Sequence, residues 1–144
     1  MPGVAIAGIG QVEFSKNIGR SERQIALEAI RLALGDAGLL PSQVDGLVRF
    51  DMESTSEVEI ARNLGIPNLR YFGEVGYGGG GGCAAGGHAV MAIQTGWART
   101  GGCWRARNRG SGGRARGGTR PGGGGGPAVF NPVGRGGAGD QNAM

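Results

Sequence analysis

A cysteine that directly follows a glycine run is the best candidate for chemistry in this chain of 144 residues. Residues 78–82 are all glycine, and Cys83 comes next. The residues from 84 to 97 are predicted to form a helix, which would place Cys83 at a helix N-terminus. There the helix dipole and the free N–H groups favour the thiolate. Cys83 is therefore a candidate nucleophile, and the alternative is a small buried apolar residue.

The other reactive side chains do not complete a site around Cys83. His88, the one histidine, lies five residues further along the predicted helix, about 140° away around its axis. It is expected to be a hydrogen-bonded core or interface residue rather than a general base. Cys103 follows Cys83 by twenty residues with no CxxC pattern, which argues against zinc and against a disulfide framework. We expect no metal, and we expect Cys103 to be structural.

Strands and helices alternate along the first hundred residues. Apolar stretches at 3–9 and 45–50 predict strands, the first buried on both faces. Capping-box spacings at Ser21 with Gln24 and at Ser56 with Glu59 predict helix starts, and Gly38 predicts the end of the first helix; these residues are typical of helix boundaries. The helix over 84–97 is apolar nearly all round and should be buried. This order predicts a layered α/β fold with a parallel-rich sheet.

Composition divides the chain into a domain at 1–109 and a tail at 110–144. Gly supplies 26 of the residues from 73 onwards but 8 of those before, and the last 48 residues carry 8 Arg against the single acid Asp140. Positions 110–139 are mostly Gly, Arg, Ala and Pro without periodicity, so we expect disorder there. The basic isoelectric point thus reflects the tail. No stretch predicts a membrane span or a signal peptide, and a cytoplasmic protein is expected.

Several stretches in a constant order resemble one branch of a known superfamily. They are residues 4–15, the helix between 21 and 38, residues 41–47, the glycine-rich residues 76–80, and residues 103–106. Together, over residues 3 to about 109, they resemble the N-terminal part of the lipid-transfer, sterol-carrier-protein thiolase-like branch of the thiolase superfamily. The resemblance implies a partial thiolase fold.

The resemblance also implies roles for individual residues. Residues 83–86, Cys-Ala-Ala-Gly, are similar to the family's C-A-[S/T]-G nucleophile motif, with Ala85 in place of the hydroxyl residue. Gly80 and Gly86 would let a thioester carbonyl approach backbone N–H groups that stabilise an oxyanion. Tyr77 either lines that site or packs beside it, and Gly87 would allow tight packing against a sheet. The family's G-H-P and C-x-G motifs are absent, so the chain is expected to be inactive alone.

The function implied is acyl-CoA processing, with coenzyme A as part of the substrate and no other cofactor bound. The reaction would be thiolase-type acyl transfer or carbon–carbon cleavage on a lipid or steroid CoA thioester. The full-length parent would form a homodimer or hetero-oligomer. A non-catalytic lipid or acyl-CoA binding protein is the alternative. RNA binding through the Gly/Arg tail is a distant third, because the tail lacks interleaved aromatic residues.

Two origins for the unusual composition after residue 98 remain open. Gly, Arg, Ala and Pro are the residues whose codons begin with two G or C bases, so a shifted reading frame through GC-rich DNA would produce them. We predict such a shift within about 99–139, because Gly101 and Gly102 stand where a strand calls for β-branched residues. Arg99 would also need a partner if buried. The alternative is a natural glycine-rich linker.

Overall fold

The computed structural model describes residues 3–15, 18–76 and 78–108. Within them the α-helices and strands are, in chain order, α1 (Glu22–Ala37), β1 (Gly46–Phe50), α2 (Glu57–Leu64), β2 (Tyr71–Val75), α3 (Gly81–Gln94) and β3 (Gly101–Trp104). Short 3-10 turns, Pro41–Gln43 and Gly78–Gly80, precede β1 and α3. The predicted α/β class with a parallel sheet is confirmed. The tail, for which disorder is predicted, lies outside the described residues.

The three strands form one parallel sheet in the order β2–β1–β3. Arg49 of β1 lies opposite Glu74 of β2 and Trp104 of β3. Successive residues of β1 point to opposite faces, as the pleat requires. Leu47 packs with the apolar residues of α1 and α2, whereas Val48 packs against α3. The fold is therefore layered, with α1 and α2 on one face of the sheet and α3 on the other.

The helix boundaries predicted from capping residues are confirmed. The Ser21 and Ser56 side chains each accept the N3 amide, from Gln24 at 3.2 Å and from Glu59 at 3.3 Å, and both capping boxes are complete. Gly38 ends α1 in the left-handed region, with φ of 66°. None of the helices in the described parts of the chain is long and apolar enough to cross a membrane.

The strand predicted over residues 3–9 is wrong. This segment has no regular structure, and Ile6 and Ile9 are 88% and 76% exposed. Gly8 and Gly10 bring it so close to α1 that an added Cβ would overlap the helix backbone. The Ile9 amide donates to Asp36 Oδ2 at 2.9 Å. A strand needs the amides and carbonyls of a neighbouring strand, and this segment bonds to a helix side chain instead.

The two glycines of β3, Gly101 and Gly102, lie within the parallel sheet beside β1. A Cβ at Gly101 would lie 3.2 Å from Ala89 Cβ on α3, and one at Gly102 would lie 3.2 Å from Leu47 Cδ2. Both positions are thus tightly packed, so the missing side chains let α3 and β1 approach. Arg99 is exposed, and the concern that it needs a buried partner does not apply.

Candidate functional site

The carboxyl ends of the three parallel strands meet at one edge of the sheet. Glu53 follows β1, Cys83 follows β2 within the first turn of α3, and residues 105–108 follow β3. Ligands of open α/β sheets bind outside this edge, because helix N-termini and connecting loops converge there. The candidate site is therefore sought among the groups at the carboxyl ends.

Cys83 is the third residue of α3 and is exposed. The prediction that it lies at a helix start is confirmed, but the helix begins at Gly81 rather than Ala84. The expectation of a helix buried all round is wrong, since Val90 and Met91 on its outer face are exposed. The buried positions are small residues at one side, which let the helix lie close to the sheet: Gly81, Ala85, Ala89 and Ala92.

The predicted binding positions are only partly brought together. Gly80 is the N-cap of α3, and Gly86 is half-buried three residues after Cys83, so the three follow one side of the helix start. His88 is half-buried and points away from Cys83, as expected from its spacing. Tyr77 lies outside the described residues.

The tight glycine contact is at Gly81 and not at Gly87. A Cβ at Gly87 would meet nothing within 4 Å, which makes the predicted packing there wrong. A Cβ at Gly81 would overlap the ring of Phe50, the last residue of β1. The guanidinium of Arg105 lies over the same ring, 5.2 Å from its centroid. Phe50 therefore links the start of α3 to the segment after β3.

Cys103 has a structural environment, as predicted. It lies in β3, and its thiol donates to the carbonyl oxygen of Ala85 on α3 at 3.5 Å. Although solvent reaches part of the residue, desolvation of the thiol raises its pKa. Both cysteines are free, and the described parts of the chain contain no cluster of His, Cys, Asp and Glu suited to a metal.

Glu53 is an important residue at this edge that the sequence reasoning missed. It is 5% exposed, and its Oε2 accepts the Ala106 amide at 2.7 Å. Its Oε1 is buried with no hydrogen-bond partner among the described residues. Burial raises the pKa of this carboxyl, and the Ala106 amide and two nearby arginines oppose that shift. A polar loop after a predicted strand marks the position, but its burial depends on tertiary contacts.

Arg49 organises the same end of β1 and was also missed. Its side chain is 15% exposed, and its Nε lies 3.1 Å from Glu57 Oε2. Its Nη1 donates to the Glu53 carbonyl at 3.0 Å, and its Nη2 pairs with Glu74 of β2. An arginine within a buried strand is the one sequence signal that could have indicated this cluster, because a buried charge requires partners.

No family model matches the chain, whereas individual proteins do. It is 55% identical over 113 residues to a steroid side-chain-cleaving aldolase of Thermomonospora curvata. The matched region covers 78% of this chain and 29% of the relative. It is 50% identical over 108 residues to the 17-hydroxy-3-oxo-4-pregnene-20-carboxyl-CoA lyase of Mycobacterium tuberculosis, which covers 75% of this chain and 28% of that relative.

A solved structure agrees with these sequence relatives. The fold is similar to that of an Ltp2-ChsH2(DUF35) aldolase, with a TM-score of 0.73, 55% identity and coverage of 78% of this chain and 30% of that one. The chain thus spans less than a third of the length of the proteins it matches. These proteins are named aldolases and a lyase, whereas the sequence alone indicated a thiolase-like enzyme without choosing between acyl transfer and carbon–carbon cleavage. In sequence the chain is similar to part of a steroid side-chain-cleaving aldolase and part of a CoA lyase, and in fold it is similar to part of an Ltp2-ChsH2(DUF35) aldolase.

Proposed function

We propose that this chain supplies part of an enzyme that cleaves a carbon–carbon bond in the side chain of a steroid CoA thioester. The observation that carries the proposal is 55% identity over 113 residues to the Thermomonospora aldolase. Coenzyme A enters as part of the substrate, and we propose no other cofactor and a cytoplasmic location. The similar solved structure is an Ltp2-ChsH2(DUF35) aldolase, so a DUF35 protein is the proposed partner, alongside a second copy of the parent chain.

The start of α3 suits the part of this reaction that needs charge stabilisation. A retro-aldol cleavage removes the proton of a β-hydroxyl, breaks the adjacent carbon–carbon bond, and leaves a carbonyl product and a thioester enolate. The first amides of a helix have no intrahelical acceptors and can donate to the enolate oxygen. Gly80 and Gly86 leave room for a thioester beside Cys83. In this reaction Cys83 lines the site, and it becomes the nucleophile only if acyl transfer occurs instead.

Proton transfer must come from other residues. His88 points away from Cys83, and Glu53 is too buried to reach a substrate. We therefore propose that the groups moving protons belong to the part of the relatives beyond the matched span, and that the 144-residue chain alone has no turnover. The alternative to be distinguished from this proposal is a protein that binds the CoA thioester without catalysing its cleavage.

A chimera tests this proposal. Residues 3–108 of this chain would replace the matching segment of the Thermomonospora aldolase, and cleavage of a steroid CoA thioester would be measured. We expect cleavage by the chimera and none by the 144-residue chain. Cys83→Ser in the chimera should change kcat by less than about threefold if the reaction is retro-aldol, but by about 10²-fold or more if Cys83 is a nucleophile. A folded chimera that binds the substrate without cleaving it would contradict the proposal.

A further inference from the structure

The backbone of Glu53 is fixed to the end of β1. Its amide donates to the Phe50 carbonyl, and its own carbonyl accepts from Arg49 Nη1, both at 3.0 Å. Arg49 is in turn paired with Glu57 of α2 and Glu74 of β2. Glu53 therefore presents its buried carboxyl from the end of the sheet itself rather than from an unconstrained loop.

The Glu53 carboxyl holds the segment that follows β3. Its Oε2 accepts the Ala106 amide at 2.7 Å, and Ala106 is itself buried. Arg105 and Arg107, on either side of Ala106, attract the same carboxyl group. A hydrogen bond to a carboxylate is stronger than one between neutral groups, and the attraction of the two guanidinium groups adds to it. These contacts join distant parts of the sequence, so they determine where the chain runs after β3.

The same segment contacts the start of α3 through one aromatic ring. The Arg105 guanidinium lies 5.2 Å from the centroid of the Phe50 ring. Gly81, the first residue of α3, packs so tightly on this ring that an added Cβ would overlap it. Cys83 lies in the same first turn. Displacement of the segment would therefore free the ring, and the first turn of α3 would lose the surface on which it packs.

We propose that Glu53 is a positioning residue for the site at the start of α3. By holding residues 105–108, it keeps Arg105 over the Phe50 ring. The ring in turn sets the place of Gly81 and of the first amides of α3. The catalytic consequence rests on the proposed function, since those amides are the donors proposed for the enolate oxygen. Glu53 is too buried to touch a substrate and acts through these neighbours.

Amide resonances of the whole 144-residue chain test the inference without a cleavage assay. Glu53→Ala should shift the resonances of Gly81 and Cys83 several-fold more than Glu74→Ala does. Glu74 is the matched control, because it belongs to the same ion-pair cluster but lies on β2, which β1 separates from β3. Glu53→Gln keeps an oxygen that accepts the Ala106 amide, so its resonances should stay close to those of the wild type. A loss of stability alone would lower the folded fraction without moving the resonances of folded molecules.

The chimera that carries residues 3–108 adds a catalytic readout. Glu53→Ala should lower kcat by about tenfold and change KM by less than about threefold, because the enolate oxygen develops only in the transition state. Glu53→Gln should restore kcat to within about threefold of the unsubstituted chimera. If the chimera does not cleave at all, the proposed function fails, whereas the shifts at Gly81 and Cys83 still support the positioning role.

Two results would overturn the positioning role. The first is a set of shifts at Gly81 and Cys83 that is no larger in Glu53→Ala than in Glu74→Ala. The second is an equal loss of kcat in Glu53→Gln and Glu53→Ala, since an acceptor for the Ala106 amide would then not be what the site requires.

A variant of the held segment decides the matter even if Glu53→Ala does not fold. The Arg105 side chain is exposed, so Arg105→Gln should fold while removing the guanidinium from the Phe50 ring. It should shift the resonances of Gly81 and Cys83, and unchanged resonances there would contradict the inference.

Discussion

The two ends of the parallel sheet are built differently. At the amino ends, the Asp45 carbonyl accepts the amides of Arg70 and Tyr71 at 2.8 and 3.1 Å. Its Oδ1 accepts those of Arg99 and Thr100 at 2.8 and 2.9 Å. One residue thus joins the beginnings of all three strands. At the carboxyl ends, the buried Glu53 carboxyl has one oxygen without a hydrogen-bond partner among the described residues, and Cys83 is exposed at a helix start.

This difference indicates that the amino ends contribute mainly to stability, whereas the candidates for chemistry lie at the carboxyl ends. Paired groups at the amino ends have little capacity left for a ligand. At the carboxyl ends the Cys83 thiol is exposed and the first turn of α3 offers backbone amides, which agrees with the usual position of sites in α/β folds. Substitution of Asp45 at the amino ends should therefore destabilise the fold, whereas substitution of the exposed Cys83 at the carboxyl ends should alter reactivity and binding.

The largest expected effect is at Asp45. Asp45→Ala removes a charged acceptor from two backbone amides, and each such bond contributes about 1.5–3 kcal/mol. We expect a loss of about 3 kcal/mol in the free energy of unfolding, measured by urea denaturation. Asp51→Ala, which removes an exposed carboxylate just after β1, should change it by less than about 0.5 kcal/mol. Equal losses in the two variants would remove the proposed distinction between the ends.

A pair of glycine substitutions in α3 should change the free energy of unfolding by smaller amounts and in opposite directions. Gly81→Ala forces a methyl group into the Phe50 ring and should destabilise by about 1–3 kcal/mol. Gly87→Ala adds a methyl group in open space on the exposed face and should stabilise by about 0.5–1 kcal/mol through helix propensity. Thermal melts of the two variants and the wild type measure both changes in stability. Destabilisation by Gly87→Ala would restore the packing role that the sequence predicted for that residue.

The two cysteines should differ in reactivity. Cys83 is exposed at the start of α3, whereas the Cys103 thiol bonds to Ala85 and burial raises its pKa. Because the thiolate is the reactive form, iodoacetamide should label Cys83 faster by about an order of magnitude. Mass mapping after brief alkylation of the folded protein measures the ratio. Equal labelling, or faster labelling of Cys103, would refute the assignment of Cys83 as the accessible thiol.

Local signals were sufficient to predict much of the fold. Capping boxes, the Gly38 cap and the apolar run before Phe50 depend on neighbours in sequence, and the helices and β1 appeared where these signals indicated. The elements that were predicted wrongly or missed depend on tertiary contacts. Residues 3–9 have the composition of a buried strand but pack on α1. The strand β2 was not predicted, since alternation over five residues is a weak signal.

The candidate site was predictable in part for the same reason. Cys83 at a helix start follows from a glycine run before an apolar segment. Glu53 and Asp45 could not be singled out, because an acidic residue beside a strand is common and its importance comes from amides about fifty residues away. Likewise, the sequence could not show that Gly81 rather than Gly87 is the tightly packed glycine, because this depends on where the Phe50 ring lies.

Mapping a bound CoA thioester most directly tests the claim that the carboxyl ends carry the site. Isotope-labelled chain would be titrated with a steroid CoA thioester, and with free coenzyme A as the reference, while amide resonances are followed by NMR. The account predicts saturable shifts at Gly80, Cys83 and Gly86 with the thioester, and unchanged resonances at Asp45 and Thr100. Shifts concentrated at Asp45 and Thr100, or no shift at any residue at millimolar thioester, would contradict it.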